Sequence, residues 1–182
     1  MSAANADAGR ERKRLRLDDN AANFVYTGQG NVPRGVIHVR ILPSIKVIRV
    51  RAFLRQTLLM SMELHDGLEV IEKEAFEECR SLREMLFPPS VRAIKEGAFC
   101  WCSVLTTAIL NNGLEEIRDQ AFQDCRSLHE ILFPPCVRAI KNWAFWGCSE
   151  LTTAIFNDGL EVIGGGGIWL LQVRTHRHTP FR

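Results

Sequence analysis

The sequence predicts an α/β solenoid, in which stacked coils carry a short parallel β-sheet on one face and short helical turns on the other. The first observation is a doubled stretch: SLREMLFPPSVRAIKEGAF begins at Ser81 and SLHEILFPPCVRAIKNWAF begins at Ser127. The second is a step of 23 residues between successive Ala-Phe pairs, which begin at Ala75, Ala98, Ala121 and Ala144. A fixed step of this size is typical of solenoids, because each unit buries its apolar face only against its neighbours.

Each unit contains one predicted strand. Six hexapeptides at the 23-residue step carry apolar residues at their first, fourth and sixth positions. They are VIHVRI, LMSMEL, LREMLF, LTTAIL, LHEILF and LTTAIF, starting at Val36, Leu59, Leu82, Leu105, Leu128 and Leu151. Alternation of inward and outward side chains is typical of half-buried strands. We therefore expect six short parallel strands, stacked about 4.8 Å apart.

The stretch after each strand predicts the other side of the coil. Val91, Ile94, Ala98 and Cys102 lie three or four residues apart, which suits a helical turn on the outer side. Pro88-Pro89 removes amide donors directly after a strand, so we expect the strand to end there and a corner to begin.

One coil, LEEIRDQAFQDCRSLHEILFPPC, shows the pattern LxxIxxxAFxxCxxLxxIxIPxx. This pattern resembles the BspA-type class of leucine-rich repeats, and the resemblance covers roughly Val36 to Ile163. It implies a leucine-rich-repeat solenoid with a parallel sheet on one side. It also implies a role in protein interaction or adhesion, with no catalytic residues.

The repeat frame divides the chain into three parts. Residues 1–31 are expected to form a disordered basic tail, and residues 32–163 a solenoid of about six 23-residue coils. Residues 164–182 begin with four glycines, which favour a flexible linker before an irregular tail. The apolar run IWLLQV in that tail indicates either a terminal cap or the truncated end of a longer array.

Composition limits the class of partner and the compartment. A formal net charge of +2 argues against a nucleic-acid binder, because phosphate-tracking surfaces need clustered Lys and Arg. The N-terminus lacks the apolar region of a secretory signal, and no apolar stretch reaches the roughly 18 residues of a membrane span. We therefore expect an intracellular protein, cytoplasmic or nuclear, without a membrane partner.

The segment RERKRLR leaves two interpretations open. Its basic residues include Arg12, Lys13, Arg14 and Arg16. Such a run can act as a nuclear-import signal or a weak nucleic-acid contact, but it can also be a solvated tail.

Metal, cofactor and catalytic chemistry are not predicted. Cys79, Cys102, Cys125 and Cys148 form a column, one per coil, which suits small buried side chains better than the converging ligands of a zinc site. The glycine run lacks the Lys-Ser/Thr ending of a phosphate-binding loop. Because no nucleophile with a base and no acid/base pair emerges, we expect no enzyme and no cofactor.

The outward positions of the strands are the predicted binding face. An aliphatic ladder is flanked by a second ladder of Glu and Thr. Its members are Leu86, Ile109, Leu132 and Ile155, which we call the apolar stripe, flanked by Glu84, Thr107, Glu130 and Thr153. Contiguous exposed apolar surface marks protein contacts, although aliphatic residues also favour strands for local reasons.

These residues lead to three functional hypotheses. The first is a monomeric interaction module that binds an unidentified protein through the sheet face. The second is a nuclear or nucleic-acid-associated factor that uses the basic tail. The third is a fragment of a surface adhesion protein.

Overall fold

A computed structural model describes residues 23–156 and 158–167 of the chain. Each coil from residue 38 onward contributes a strand to one face and a two-residue strand to a second face, and one further strand precedes them on the first face. In chain order the strands are β1 (Asn23–Tyr26), β2 (His38–Ile41), β3 (Val47–Ile48), β4 (Ser61–Glu63), β5 (Val70–Ile71), β6 (Glu84–Leu86), β7 (Ala93–Ile94), β8 (Thr107–Ile109), β9 (Glu116–Ile117), β10 (Glu130–Leu132), β11 (Ala139–Ile140), β12 (Thr153–Ile155) and β13 (Val162–Ile163).

The first face contains the predicted parallel strands. Together with β1, which was not predicted, they form one sheet in the order β1-β2-β4 and another in the order β12-β10-β8-β6. Register follows the 23-residue step, so that Leu86 pairs with Ile109 and Leu132 with Ile155. The six strands predicted from the hexapeptides are therefore confirmed.

The ordered coils begin earlier than the predicted boundary at residue 32. β1 pairs in parallel with β2, with Asn23 opposite His38 and Tyr26 opposite Ile41. Tyr26 is buried, and its ring lies 5.1 Å from that of Phe53. This offset of 15 residues explains why the 23-residue step did not reveal β1. Residues 23–31 thus belong to the solenoid and not to a tail.

The predicted helical turns are wrong, because the described residues contain no helix. The two-residue strands form a second parallel sheet in the order β13-β11-β9-β7-β5-β3. In the outer turn that follows each of them, alternate amides bond to the next coil: Arg51 N–H donates to the Lys73 carbonyl over 3.1 Å. The amides between them close local turns, as Ala52 N–H does on the Arg49 carbonyl. An α-helix instead needs successive amides to bond four residues back.

Left-handed backbone conformations also exclude a helix in the outer turn. Arg51 and Arg55 have φ angles of 57° and 59°, and Glu74 and Glu78 repeat them one coil later at 56° and 59°. L-residues in a right-handed helix have negative φ. The three- and four-residue spacing of apolar positions therefore reflects a turn that returns to the core every few residues.

Gly164 to Gly167 continue the coil register and are not a linker. Trp143 N–H donates to the Gly165 carbonyl over 3.0 Å, and Phe145 N–H donates to the Gly167 carbonyl over 2.9 Å, as in earlier outer turns. A Cβ at Gly164 would lie 2.6 Å from the backbone nitrogen of Asn142, so the close approach of the two coils requires glycine there. The solenoid thus extends to residue 167. The predicted cap, IWLLQV, lies outside the described residues.

The core is a set of columns that run along the solenoid. Phenylalanine rings stack with centroids 5.0–5.2 Å apart in the column Phe53, Phe76, Phe99, Phe122 and Phe145. The predicted cysteine column is confirmed as buried, and its thiols are free. Each Sγ also donates a hydrogen bond of 3.1–3.2 Å to a phenylalanine carbonyl in the preceding coil.

Candidate protein-interaction site

The strand pleat places the apolar stripe outside the core. Within each three-residue strand the middle side chain points inward, and the two flanking side chains point outward. Met85, Ala108, Ile131 and Ala154 are the buried middle residues of β6, β8, β10 and β12. The predicted site residues are their immediate neighbours in the chain, and all eight lie on the outer surface of this sheet.

Three members of the stripe are well exposed to solvent. Leu86, Ile109 and Leu132 retain 58%, 49% and 53% of their accessible surface, whereas Ile155 is half-buried. They occupy successive strands of one sheet, so the exposed apolar surface is continuous. The structure brings together the four residues that the sequence placed in one ladder.

The flanking ladder alternates acidic and hydroxyl side chains. Glu84 pairs with Thr107, and Glu130 pairs with Thr107 on one side and Thr153 on the other. Both glutamates are exposed, and neither forms an ion pair with a described residue. The stripe therefore has an acidic border whose charges no described residue neutralises.

The first two coils give the same face a different character. His38 Nδ1 lies 2.7 Å from Ser61 Oγ, and Arg40 donates to Glu63 over 2.6 Å. Because these polar side chains bond to one another across β2 and β4, their hydrogen-bonding groups are largely satisfied within this half of the face. The apolar half begins at β6, as the sequence predicts.

Met60, directly before β4, was missed in the sequence. Its side chain is exposed although it lies next to the strand face. An exposed methionine adapts well to irregular contacts, so it could extend the apolar surface toward the first coils. The signal was present, because the same position is apolar in the first two hexapeptides, as Ile37 and Met60, and polar in the four later ones, as Arg83, Thr106, His129 and Thr152.

Trp101, Trp143 and Trp146 lie in the outer turns, where each is at least a third exposed. A Cβ at Gly166 would come within 2.6 Å of the Trp143 ring, so this ring lies directly over the backbone of the last described coil. The Arg126 guanidinium lies 5.2 Å from the centre of the Trp101 ring. These contacts place the Trp101 and Trp143 rings against neighbouring coils.

The described residues show no site for a metal ion. In residues 23–156 and 158–167, no three His, Cys, Asp or Glu side chains are placed to hold one. Burial raises the pKa of Cys79 and of Cys148 to about 12, so these thiols are protonated and inert at neutral pH. None of the described residues forms a helix with the length and hydropathy needed to span a bilayer.

The predicted import residues, Arg12, Lys13, Arg14 and Arg16, lie outside the described residues. Their role stays a prediction.

A model of the BspA-type leucine-rich repeat region matches residues 39–166 in six copies. The chain belongs to the BspA-type leucine-rich repeat family. The match ends within the last glycine-rich coil, in agreement with the register seen there. No curated protein matches the sequence.

Solved structures show the same fold in bacterial proteins. The leucine-rich repeat protein of T. pallidum is 24% identical, with a TM-score of 0.64 over 76% of this chain and 73% of its own. A leucine-rich cell surface protein of Faecalibacterium prausnitzii is 22% identical, with a TM-score of 0.70 over 86% of this chain and 48% of its own. A leucine-rich repeat protein of Bacteroides ovatus is 21% identical, with a TM-score of 0.52 over 71% and 39%. These similarities establish the solenoid fold.

Proposed function

We propose that this BspA-type repeat protein is a non-catalytic module that binds another protein through its apolar stripe. The observation that carries the proposal is the contiguous exposure of Leu86, Ile109 and Leu132 on adjacent strands. Aliphatic side chains that stay exposed to water contribute no hydrophobic free energy. Their burial against a partner removes apolar surface from water and therefore favours binding.

The border of the stripe favours a partner with basic residues at its rim. Glu84 and Glu130 lie two strands apart on the same side of the stripe. Rim charges influence association rate and discrimination more than affinity. We therefore infer a partner surface with an apolar centre and Lys or Arg at its edge.

The experiment compares two double variants in capture of binding proteins. Ile109→Asp with Leu132→Asp places two charges in the stripe, and Val47→Asp with Val104→Asp places two on exposed valines elsewhere. We expect the stripe variant to lose at least tenfold in capture of the proteins that the unmodified chain binds, and the control to retain them. Equal capture by both variants, with equal unfolding midpoints, would exclude the stripe.

We also propose that the protein binds its partner as a monomer and needs no cofactor to do so. Sedimentation of the purified chain tests it, because a module that presents its sheet face as a monomer keeps one mass over a wide concentration range. A concentration-dependent dimer that the stripe variant abolishes would instead make a second copy the partner.

A surface adhesion role is the second candidate, favoured by one comparison. The F. prausnitzii protein with this fold is described as a cell surface protein. Protease treatment of intact cells that make the full protein distinguishes the two locations. Protection supports the intracellular module, and digestion supports the surface role.

A further inference from the structure

A second candidate binding site lies beside the coil that contains β2 and β3, and no residue of the apolar stripe lines it. A cleft of about 990 Å³ separates the loop at residues 30–35 from the outer turn at residues 49–58. Among the described residues, four arginines line it and no carboxylate does; the arginines are Arg34, Arg49, Arg51 and Arg55. We call this feature the arginine cleft.

The wall of the cleft is an open backbone edge. In later coils, three carbonyl groups of the outer turn accept hydrogen bonds from alternate amides of the preceding coil. In the next coil these acceptors are the carbonyls of Lys73, Ala75 and Glu77. One coil earlier, the carbonyls of Val50, Ala52 and Leu54 accept no hydrogen bond from a described residue, and all three residues line the cleft. A peptide with suitably spaced N–H groups could fill these acceptors.

The arginines are arranged for carboxylates at a fixed spacing. Arg51 Nε donates to Glu74 over 2.5 Å, and Arg55 Nε donates to Glu78 over 3.0 Å. Carboxylates four residues apart in the next coil thus pair with arginines four residues apart in this one. On the cleft side the same two guanidinium groups meet no carboxylate of a described residue. Arg34 and Arg49 are exposed and form no ion pair with a described residue, so the cleft carries net positive charge.

We propose that the arginine cleft binds a short acidic segment of a partner protein, with carboxylates four residues apart. Backbone N–H groups of the segment pair with the three open carbonyls, as each coil does with the next. Its carboxylates contact Arg51 and Arg55, while Arg34 and Arg49 supply further charge. Residues at the two acidic positions adopt φ near +57° in the equivalent coil, which Asp tolerates better than most side chains.

Charge favours a partner over the chain's own N-terminal segment. The run RERKRLR at residues 10–16 contains five basic residues and one acidic residue. Four arginines without a carboxylate would repel this run. An acidic segment of another protein is attracted by the same groups, and that attraction weakens with added salt.

The test selects a displayed library of random nonapeptides on the full chain. We expect selected peptides to carry Asp or Glu four residues apart. The variant Arg34→Glu with Arg49→Glu loses this enrichment, and the control Arg138→Glu, an exposed arginine remote in sequence from the cleft, retains it. Fluorescence anisotropy of the most enriched peptide should show at least tenfold weaker binding to the double variant.

Backbone pairing has its own readout. N-methylation of alternate amides of that peptide should weaken binding at least tenfold, because it removes the donors to the open carbonyls. Peptides without acidic enrichment, or full affinity after N-methylation at every amide in turn, would overturn the proposal. The double variant must unfold at the same midpoint as the control, and the stripe variant must bind the peptide normally, which separates this site from the proposed function.

The N-terminal segment of the chain contains an acidic pair at the same spacing, which could compete for the arginine cleft. Asp7 and Glu11 are also four residues apart. If Asp7→Asn with Glu11→Gln tightens peptide binding, the N-terminal segment competes for the cleft and the assignment to a partner is overturned. We expect no change.

Discussion

The Sγ of Cys102 donates a hydrogen bond of 3.2 Å to the carbonyl of Phe76, which lies in the preceding coil. The same carbonyl also accepts the Cys79 amide, so the thiol uses its second lone pair. Gln56 lies one repeat before Cys79, at the position that cysteine holds in later coils. Its side-chain amide donates to the Pro33 carbonyl over 3.0 Å. The cysteine column therefore does more than fill space, because it links successive coils through their backbones.

Cys102→Ala should destabilise the protein by about 1–3 kcal/mol. The substitution removes a buried hydrogen bond and leaves a small cavity, and both effects oppose folding. Urea unfolding of the full chain measures the change. Cys136→Ala is the matched control, because Cys136 is exposed and its removal should cost less than about 0.5 kcal/mol. Equal effects at both positions would contradict a structural role for the column.

Alkaline pH should reduce stability through the same column. Burial raises the pKa of Cys148 from 9.0 to about 12, whereas the unfolded thiol titrates near 9.0. Between these values the unfolded state has lost its proton and the folded state has not, so the stability contributed by this group is complete below pH 9 and lost as pH rises toward 12. Unfolding free energy measured from pH 8 to pH 11 should fall less steeply in Cys148→Ala. An unchanged slope would show that other groups set the alkaline limit.

The sequence predicted the strands well because their inward positions repeat at a fixed step, and burial selects apolar residues at each repeat. It failed at the outer turn because Val91, Ile94 and Ala98 have the same spacing in a helix and in a turn that returns to the core. The conformations of Arg51 and Glu74 carry no signal in residue type, since neither is glycine. The stripe was found because it is a ladder of outward positions. The arginine cleft was missed because it depends on a coil edge that no described residue covers, which no residue pattern records.

Gly113→Ala should destabilise the protein by about 2–3 kcal/mol. A Cβ at Gly113 would overlap the Pro89 carbonyl oxygen, so the corner of the coil would have to move away from its neighbour. Gly165→Ala is the matched control, because its Cβ would meet only Asn142 Oδ1 at 3.8 Å, an ordinary contact. Thermal unfolding compares the two variants. If the two substitutions have the same effect, the close approach of the coils at Gly113 is not what requires glycine.

The last described coil should contribute less to stability than the coil before it. Ile140 and Ile163 pair in β11 and β13 and hold the same place in the repeat. Ile140 is fully buried, whereas Ile163 retains 52% of its surface because no later described coil covers it. Ile140→Ala should therefore cost about 2–5 kcal/mol, and Ile163→Ala less than about 1 kcal/mol.

Urea unfolding of both alanine variants of the full chain tests this difference. If Ile163→Ala is as costly as Ile140→Ala, then Ile163 is covered in solution, either by a segment of the chain outside the described residues or by a second copy. Urea unfolding at two protein concentrations separates these cases, because only a second copy makes the cost of Ile163→Ala depend on protein concentration.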